Sequence, residues 1–204
     1  MRFRDREDAG QRLADLLDHY RGHSDVVVLA LPRGGVPVAR VVADRLEAPM
    51  DLLLVRKLGV PGREELAMGA IADGDIVLNQ DVVRHVEPHE VERVIQRERE
   101  ELRRRNEAYG RTPLEVEGRT VIVVDDGLAT GATMRASVQA LAQRKPGKVV
   151  VAVPTAPEHT VDEFAEIVDE VVCVMTPKPF GSVGQAYKDF SQTTDGEVRR
   201  LLTR

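Results

Sequence analysis

Residues 121–133, VIVVDDGLATGAT, place two adjacent carboxylates, Asp125 and Asp126, between a β-branched apolar run and a loop of Gly, Ala and Thr. Paired acids at such a point suit a cation or the hydroxyls of a vicinal diol. The loop suits a different ligand. Gly127 and Gly131 let backbone come close to a bound group, Thr130 and Thr133 carry hydroxyls, and helical periodicity resumes over residues 132–143. The free N–H groups and dipole at the start of that helix face the loop, which is the chemistry that holds a phosphate. Carboxylates repel phosphate, so the acids are assigned to a ribose-like diol or to bound Mg²⁺. An ordinary loop with an N-cap also begins with acids after a strand. The fixed succession of strand, acid pair and T-G-x-T distinguishes a site from that simpler case. Two other nucleotide motifs fail: only three residues separate Gly127 from Gly131 and no Lys follows, and no G-x-G-x-x-G is present.

The elements that must position these residues follow from periodicity. Apolar side chains at Ala9, Leu13, Leu16 and Leu17 have helical spacing over residues 6–19. DVVVLALPRGG then gives a short buried strand closed by Pro and two Gly, with a helix from Val36 to about Leu46. Residues 50–55 form the next strand, residues 57–69 read as a long mobile loop, and Asp73 with Gly74 turns a hairpin. Residues 89–109 make a charge-dense helix with a narrow stripe of Val91, Ile95, Leu102 and Tyr109. Its acids and bases interleave at i,i+4, the pattern of a solvated or dimer-packing helix rather than of one that binds nucleic acid through Arg103, Arg104 and Arg105. After a connector at 110–118, strands at 121–124, 148–153 and 170–174 alternate with helices at 132–143 and 161–167. Continuous apolar strands alternating with helices predict an α/β fold, a central parallel sheet covered by helices on both faces. One domain over 1–204 is expected, with a hood or lid at about 57–80 and a C-terminal extension at about 177–204.

Bulk properties narrow the class. With 42% hydrophobic and 31% charged residues the chain is globular rather than disordered, and a formal charge of −5 argues against nucleic-acid binding by bulk electrostatics. No apolar run reaches the roughly 18 residues of a membrane span and no signal core stands at the start, so a cytoplasmic protein is expected. The single cysteine, Cys173, allows no intramolecular disulfide and sits in a β-branched run as a small core residue. The five histidines and one cysteine have no metal-ligand spacing.

The 121–133 segment resembles the phosphoribosyl pyrophosphate (PRPP) signature of type I phosphoribosyltransferases. The resemblance implies that Asp125 and Asp126 hold the ribose hydroxyls, and that Gly127, Leu128, Ala129, Thr130, Gly131, Ala132 and Thr133 wrap the 5′-phosphate through amides and hydroxyls. LALPRGGVPVA, residues 29–39, stands where the family has its pyrophosphate loop, with Arg33 as a forked donor and Gly34 and Gly35 turning amides toward an anion. VRKLGVPGREELAMGAI, residues 55–71, stands at the family's catalytic hood, with Arg56 and Lys57 near the leaving pyrophosphate and Glu64 and Glu65 on the lid. PKPFGSVGQAYKDF, residues 177–190, loosely matches the stretch in which an aromatic stacks on the base. Phe180 would be that ring, with Tyr187 and Asp189 as neighbours; Phe180 and Tyr187 also read as ordinary packing residues.

The activity implied is transfer of ribose 5-phosphate from PRPP to a nitrogen acceptor with release of pyrophosphate. Mg²⁺ would arrive through PRPP, with Asp125 and Asp126 as its protein contacts, and the protein would be a homodimer. The base is not legible. Where 6-oxopurine members carry an acid three positions after the pair, this chain has Ala129. A regulator that senses PRPP or nucleotide on the same fold is the rival reading; Arg33, Arg56 and Lys57, which a sensor need not keep, favour the enzyme.

Overall fold

The β-branched runs of the sequence become the strands of a five-stranded sheet in the computed structural model, which describes residues 1–203. In chain order the elements are α1 (Arg6–Leu16), β1 (Val26–Ala30), α2 (Gly35–Leu46), β2 (Met50–Leu52), β3 (Val55–Val60), β4 (Arg63–Ala72), β5 (Asp75–Leu78), α3 (Gln80–Val83), α4 (Pro88–Tyr109), β6 (Thr120–Val124), α5 (Ala132–Ala142), β7 (Lys148–Thr155), α6 (Glu158–Ala165), β8 (Glu170–Met175) and α7 (Asp195–Leu202). The main sheet runs β2-β1-β6-β7-β8, every neighbouring pair parallel. The expected parallel α/β architecture is therefore present.

Alternation along each strand divides the core into two layers. Val26, Val28, Ala30, Ile122, Val124, Val150 and Ala152 pack with α1 and α2, while Val27, Leu29, Val121, Val123, Val151 and Val153 pack with α5 and α6. Each such buried Val or Leu stabilises the fold by about 1.5–3 kcal/mol. Cys173 packs against the second layer, half-buried, and burial pushes its thiol up to about 11.

A second sheet, β3-β4-β5, is antiparallel. Its β4–β5 turn falls at Asp73 and Gly74 as expected, both with positive φ (47° and 96°), which two-residue hairpins of type I′ require. Residues 57–69 are not a long loop. They form β3 and most of β4, with register shifts at Leu58, Gly59 and Val60. Pro61 and Gly62 interrupt only the turn, and Gly59 sits where a Cβ would meet the Glu64 carbonyl oxygen at 2.8 Å. The glycines thus mark a bulge and a turn inside a hairpin, not a hinge-rich loop.

The stripe on α4 likewise differs from expectation. Val91, Val94, Ile95 and Leu102 are buried in the chain's own core as α4 packs on β3 and β4, so this stripe is not a free dimer face. The connector after α4 carries a side chain that ties β2 to the β4–β5 turn. The Arg111 side chain is 3% exposed and reaches Asp51 within β2 (2.6 Å), Asp73 of the β4–β5 turn (2.7 Å) and the Leu52 carbonyl (2.8 Å). Among the described residues no helix is long and apolar enough to cross a membrane.

Candidate active site

Chain order reverses between β1 and β6: after β1 the chain moves outward to β2, and it returns on the other side as β6. Loops leaving such a switch point diverge and open a crevice at the carboxyl edge of the sheet. Register places the two departures level, Ala30 opposite Val124. The β1 loop therefore lies against the acid pair. A Cβ on Gly34 would stand 2.0 Å from Asp126 Oδ2, and one on Gly35 would stand 2.7 Å from the Val124 carbonyl oxygen and 2.9 Å from Asp125 Cα. Helices α2 and α5 both begin at this edge, and no side-chain hydrogen bond closes either N-cap, Gly34 or Gly131. At α5 the amides after Ala132, whose own N–H lies 3.4 Å from Thr130 Oγ1, are left for an anion. At α2 the Gly35 and Val36 amides instead donate to the Leu31 and Arg33 carbonyls at 3.0 and 3.2 Å, and Pro37 has no N–H.

The loop after the acids divides into two parts. Leu128 is buried and its amide donates to the Thr155 carbonyl at 2.9 Å, so it anchors the loop and is not free to hold a phosphate, contrary to expectation. Gly127 is a packing glycine, since a Cβ there would meet Val183 at 2.6 Å and Thr155 at 2.9 Å. Ala129, Thr130, Ala132 and Thr133 are exposed and form the open part. Thr160 Oγ1 donates to the Ala129 carbonyl at 3.3 Å. Gly131 takes φ 74°, with its α-carbon so near Phe164 that a Cβ would be 2.6 Å from the ring. Only glycine satisfies both demands.

Asp125 and Asp126 share the crevice. The Asp126 amide donates to Asp125 Oδ1 at 2.8 Å. Burial first, then the neighbouring Asp126 charge, raises the Asp125 carboxyl well above its ordinary value. Burial also raises Asp126, against the opposing pull of Arg6. Arg6 was not singled out by its sequence context. Its Nε and Nη2 both approach Asp126 Oδ2 at 2.9 Å, its Nη1 donates to the Ser191 carbonyl at 2.7 Å, and its guanidinium lies 4.1 Å from the centre of the Phe190 ring. Tyr187 completes the support: its hydroxyl donates to the Asp126 carbonyl at 2.6 Å while its ring packs on Phe3 and Phe190. Tyr187 is thus a buttress of the acid pair and has no aromatic contact with Phe180. Phe180 is half-buried in the loop after β8, three positions before the Val183 that covers Gly127. Asp189 fixes a turn by accepting from the Ser191 amide at 2.9 Å, which lowers its carboxyl.

The predicted cations separate. Arg33 stays on the β1 loop, its Nη1 3.9 Å from Asp195. Arg56 is held at 2.7 Å by Glu98 of α4, whose side chain is 7% exposed, and Lys57 reaches across the hairpin to the Glu65 carbonyl at 3.4 Å. Glu64 accepts from the Gly62 amide at the tip, at 3.3 Å. Among the described residues no hydrogen bond or ion pair links Arg56, Lys57, Glu64 or Glu65 to the acid pair.

The phosphoribosyl transferase domain family model matches residues 4–184, a span that contains the β1 loop, the hood and the acid-pair loop. The chain belongs to the phosphoribosyl transferase domain family. It is 50% identical over 207 residues to a "putative phosphoribosyl transferase" of Mycobacterium tuberculosis, covering 99% of this chain but 46% of that protein, about half its length. The crystal structure of TT1426 from Thermus thermophilus superposes with a TM-score of 0.90 at 44% identity, covering 99% of this chain and 98% of that one. A hypoxanthine phosphoribosyltransferase structure from Staphylococcus aureus shares the fold at a TM-score of 0.50 and 14% identity, covering 84% of this chain and 73% of that one.

In this phosphoribosyl transferase domain, the family match ends at Gly184, before Tyr187, Phe190 and Ser191. Those three residues and Arg6 hold Asp126 from the two ends of the chain. An arginine 120 positions before its partner carries no local signature.

Proposed function

We propose that the protein transfers ribose 5-phosphate from PRPP to a nitrogen of a nucleobase and releases pyrophosphate. The observation that carries the reading is the convergence, at one switch point, of two buried-edge carboxylates with the open N-terminus of α5 and the glycine-lined β1 loop. Asp125 and Asp126 accept from the ribose hydroxyls. The amides from Ala129 to Thr133, with the Thr130 and Thr133 hydroxyls, take the 5′-phosphate. Arg33 and the backbone at Gly34 take the pyrophosphate, while Gly35, whose amide donates to the Leu31 carbonyl at 3.0 Å, lets the loop lie close against Val124 and Asp125. A bond forms between acceptor nitrogen and the anomeric carbon as the carbon–oxygen bond to pyrophosphate breaks, through an oxocarbenium-like state that these groups position and whose leaving charge they stabilise. The β3–β4 hairpin is the cover that excludes water. Lys57 is its cation for the leaving group, and Arg56 joins it only on release from Glu98.

Among the described residues no cluster of three or more His, Cys, Asp or Glu side chains gathers. The donor set is two carboxylates, one of them already paired with Arg6. That fits Mg²⁺ held mainly by substrate phosphates, as Mg²⁺ usually is, with Asp125 and Asp126 as its protein contacts. The ion supplies charge neutralisation on the pyrophosphate. A cytoplasmic homodimer completes the proposal, on the family resemblance. Ala129 leaves no acid beside N7 of a 6-oxopurine, help worth on the order of 10²–10⁴ in rate, so hypoxanthine, guanine and xanthine are expected to be poor acceptors. The deciding experiment is calorimetry with PRPP and Mg²⁺. Wild type should bind and the folded Asp125→Asn/Asp126→Asn variant should show no detectable heat; equal affinity in the two proteins overturns the ribose-clamp assignment.

A further inference from the structure

Beside the β1 loop, and sharing only Arg33 with the roles assigned above, lies a cavity of 430 Å³ lined by Pro32, Arg33, Arg104, Arg105, Tyr109 and Arg199, with Ala108 and Asp195 completing its wall. Four guanidinium groups from three separate elements (the β1 loop, α4 and α7) meet there, in a chain whose formal charge is −5. Convergence of like charges destabilises a fold unless anions offset it. The protein supplies two. Glu101 is shared by Arg104 and Arg105, at 2.9 and 2.8 Å. Asp195 stands inside the cluster, accepting from the Tyr109 hydroxyl at 2.7 Å with Arg33 Nη1 at 3.9 Å. The Arg199 guanidinium has no carboxylate partner among the described residues, and its one hydrogen bond there is a 3.4 Å contact to the Ala108 carbonyl. Four positive charges thus face two negative ones.

We propose that this cavity binds an oligophosphate chain, which takes the place of Asp195 among the arginines. Planar guanidinium forks pair with phosphate oxygens two at a time, and several forks from different directions suit a chain of linked phosphates better than a single carboxylate. The volume lies in the small-molecule range of about 300–1,000 Å³. Asp195 is able to leave. Its side chain is 57% exposed, and α7 stays in place through the fully buried Val198 and the Thr194 cap on the Glu197 amide (3.1 Å). Tyr109, whose hydroxyl burial and Asp195 push up to about 12, remains a donor for the incoming oxygen at neutral pH. Arg33 belongs both to this cavity and to the proposed pyrophosphate loop, so occupancy bears directly on the reaction. The oligophosphate is either the departing pyrophosphate or the tail of a nucleoside triphosphate effector.

The test is calorimetry of the whole chain without PRPP, with sodium pyrophosphate in one arm and ATP in the other. Arg104→Gln/Arg199→Gln removes two exposed forks and should weaken binding at least about tenfold, since a charged hydrogen bond contributes about 1.5–3 kcal/mol. Asp195→Asn should tighten it about threefold or more, whereas Glu197→Gln, the same charge change on the same helix but outside the cavity, should stay within about twofold. Variant-sensitive binding that is strongest for pyrophosphate identifies the leaving group; variant-sensitive binding strongest for ATP identifies an effector. No binding of either probe, affinity unmoved by Arg104→Gln/Arg199→Gln, or equal tightening by Asp195→Asn and Glu197→Gln overturns the proposal. Pyrophosphate binding that persists in Asp125→Asn/Asp126→Asn separates this cavity from the ribose clamp, so either reading can fail alone.

Discussion

Residues 121–124 of β6 and all of β1 carry only apolar side chains, whereas the paired hood strands β3 and β4 carry Arg56, Lys57, Arg63, Glu64 and Glu65. The first region is held by burial on both faces and by parallel register, so the loops that leave it start from points that cannot shift independently. The second region is fastened at its base by burial of Leu58, Met68 and Ile71 and, in addition, by ion pairs. Arg111 joins Asp51 to Asp73, Arg144 adds a 3.2 Å contact to Asp73, and Glu98 holds Arg56, while residues 63–67 stand exposed at the far end. The difference separates two tasks. Apolar packing is indifferent to small changes in charge and suits a clamp of constant geometry. Attachment of the β3–β4 hairpin is concentrated at its base, in these buried side chains and the ion pairs beside them, while its tip stands exposed.

If the hood base depends on its ion pairs, removing their centre has the largest effect. Arg111→Leu leaves the Asp51 side chain, 6% exposed, without its cation and the Asp73 side chain, 3% exposed, with only the 3.2 Å contact to Arg144. Urea unfolding should show a loss of about 3–5 kcal/mol, much of it regained when Asp51→Asn and Asp73→Asn are added. A loss under about 1 kcal/mol would mean that the hood is held otherwise.

The apolar region is probed by crowding. Gly35→Ala drives a methyl against the Val124 carbonyl and Asp125 Cα, both backbone, so the strain has no flexible side chain to absorb it. A destabilisation of about 1–3 kcal/mol is expected, together with loss of PRPP binding. Wild-type affinity in this variant would show that the two loops are less tightly coupled than their contacts indicate.

Asp125 is where the rigid region bears a cost. Its carboxyl is raised above the ordinary value of 3.8 by burial and by Asp126, so the folded state holds a proton more tightly than the unfolded chain. Wild type therefore loses stability as pH rises from near 3.8 through the raised value. Asp125→Asn keeps an oxygen for the Asp126 amide and removes the charge. Its urea midpoint should exceed that of wild type at pH 7, and the gain should disappear in acid, where the wild-type carboxyl is protonated in both states. A variant less stable than wild type at pH 7 would contradict the desolvation argument.

The smallest effect is expected at the hood tip. Leu66 is 44% exposed, and Leu66→Ser should change stability by no more than about 0.5 kcal/mol. A larger loss would place the tip in the folded core or in a contact between copies, and light scattering of the two proteins would tell these apart.

What the sequence determined by itself was local. Short β-branched runs, the D-D-G-L-A-T-G-A-T spacing, the Gly pair after Arg33 and the Asp73–Gly74 turn each depend on neighbours within one strand or loop, because side-chain periodicity and turn chemistry act over a few residues. They were enough for the parallel α/β sheet. Misreadings arose where a local cue has two meanings. Glycines at 59, 62 and 69 looked like a mobile loop, although in a paired hairpin they are a bulge, a turn and a close backbone approach. Leu128 and Gly127 looked like phosphate ligands until Thr155 and Val183 packed against them. Tertiary structure decided everything that depends on which distant groups lose water together. Arg6 meets Asp126, Tyr187 meets the Asp126 carbonyl, Arg111 gathers Asp51 and Asp73, and four arginines share one cavity. Charges attract or repel with a strength set by separation and by the water between them, and neither exists until the strand order has placed them.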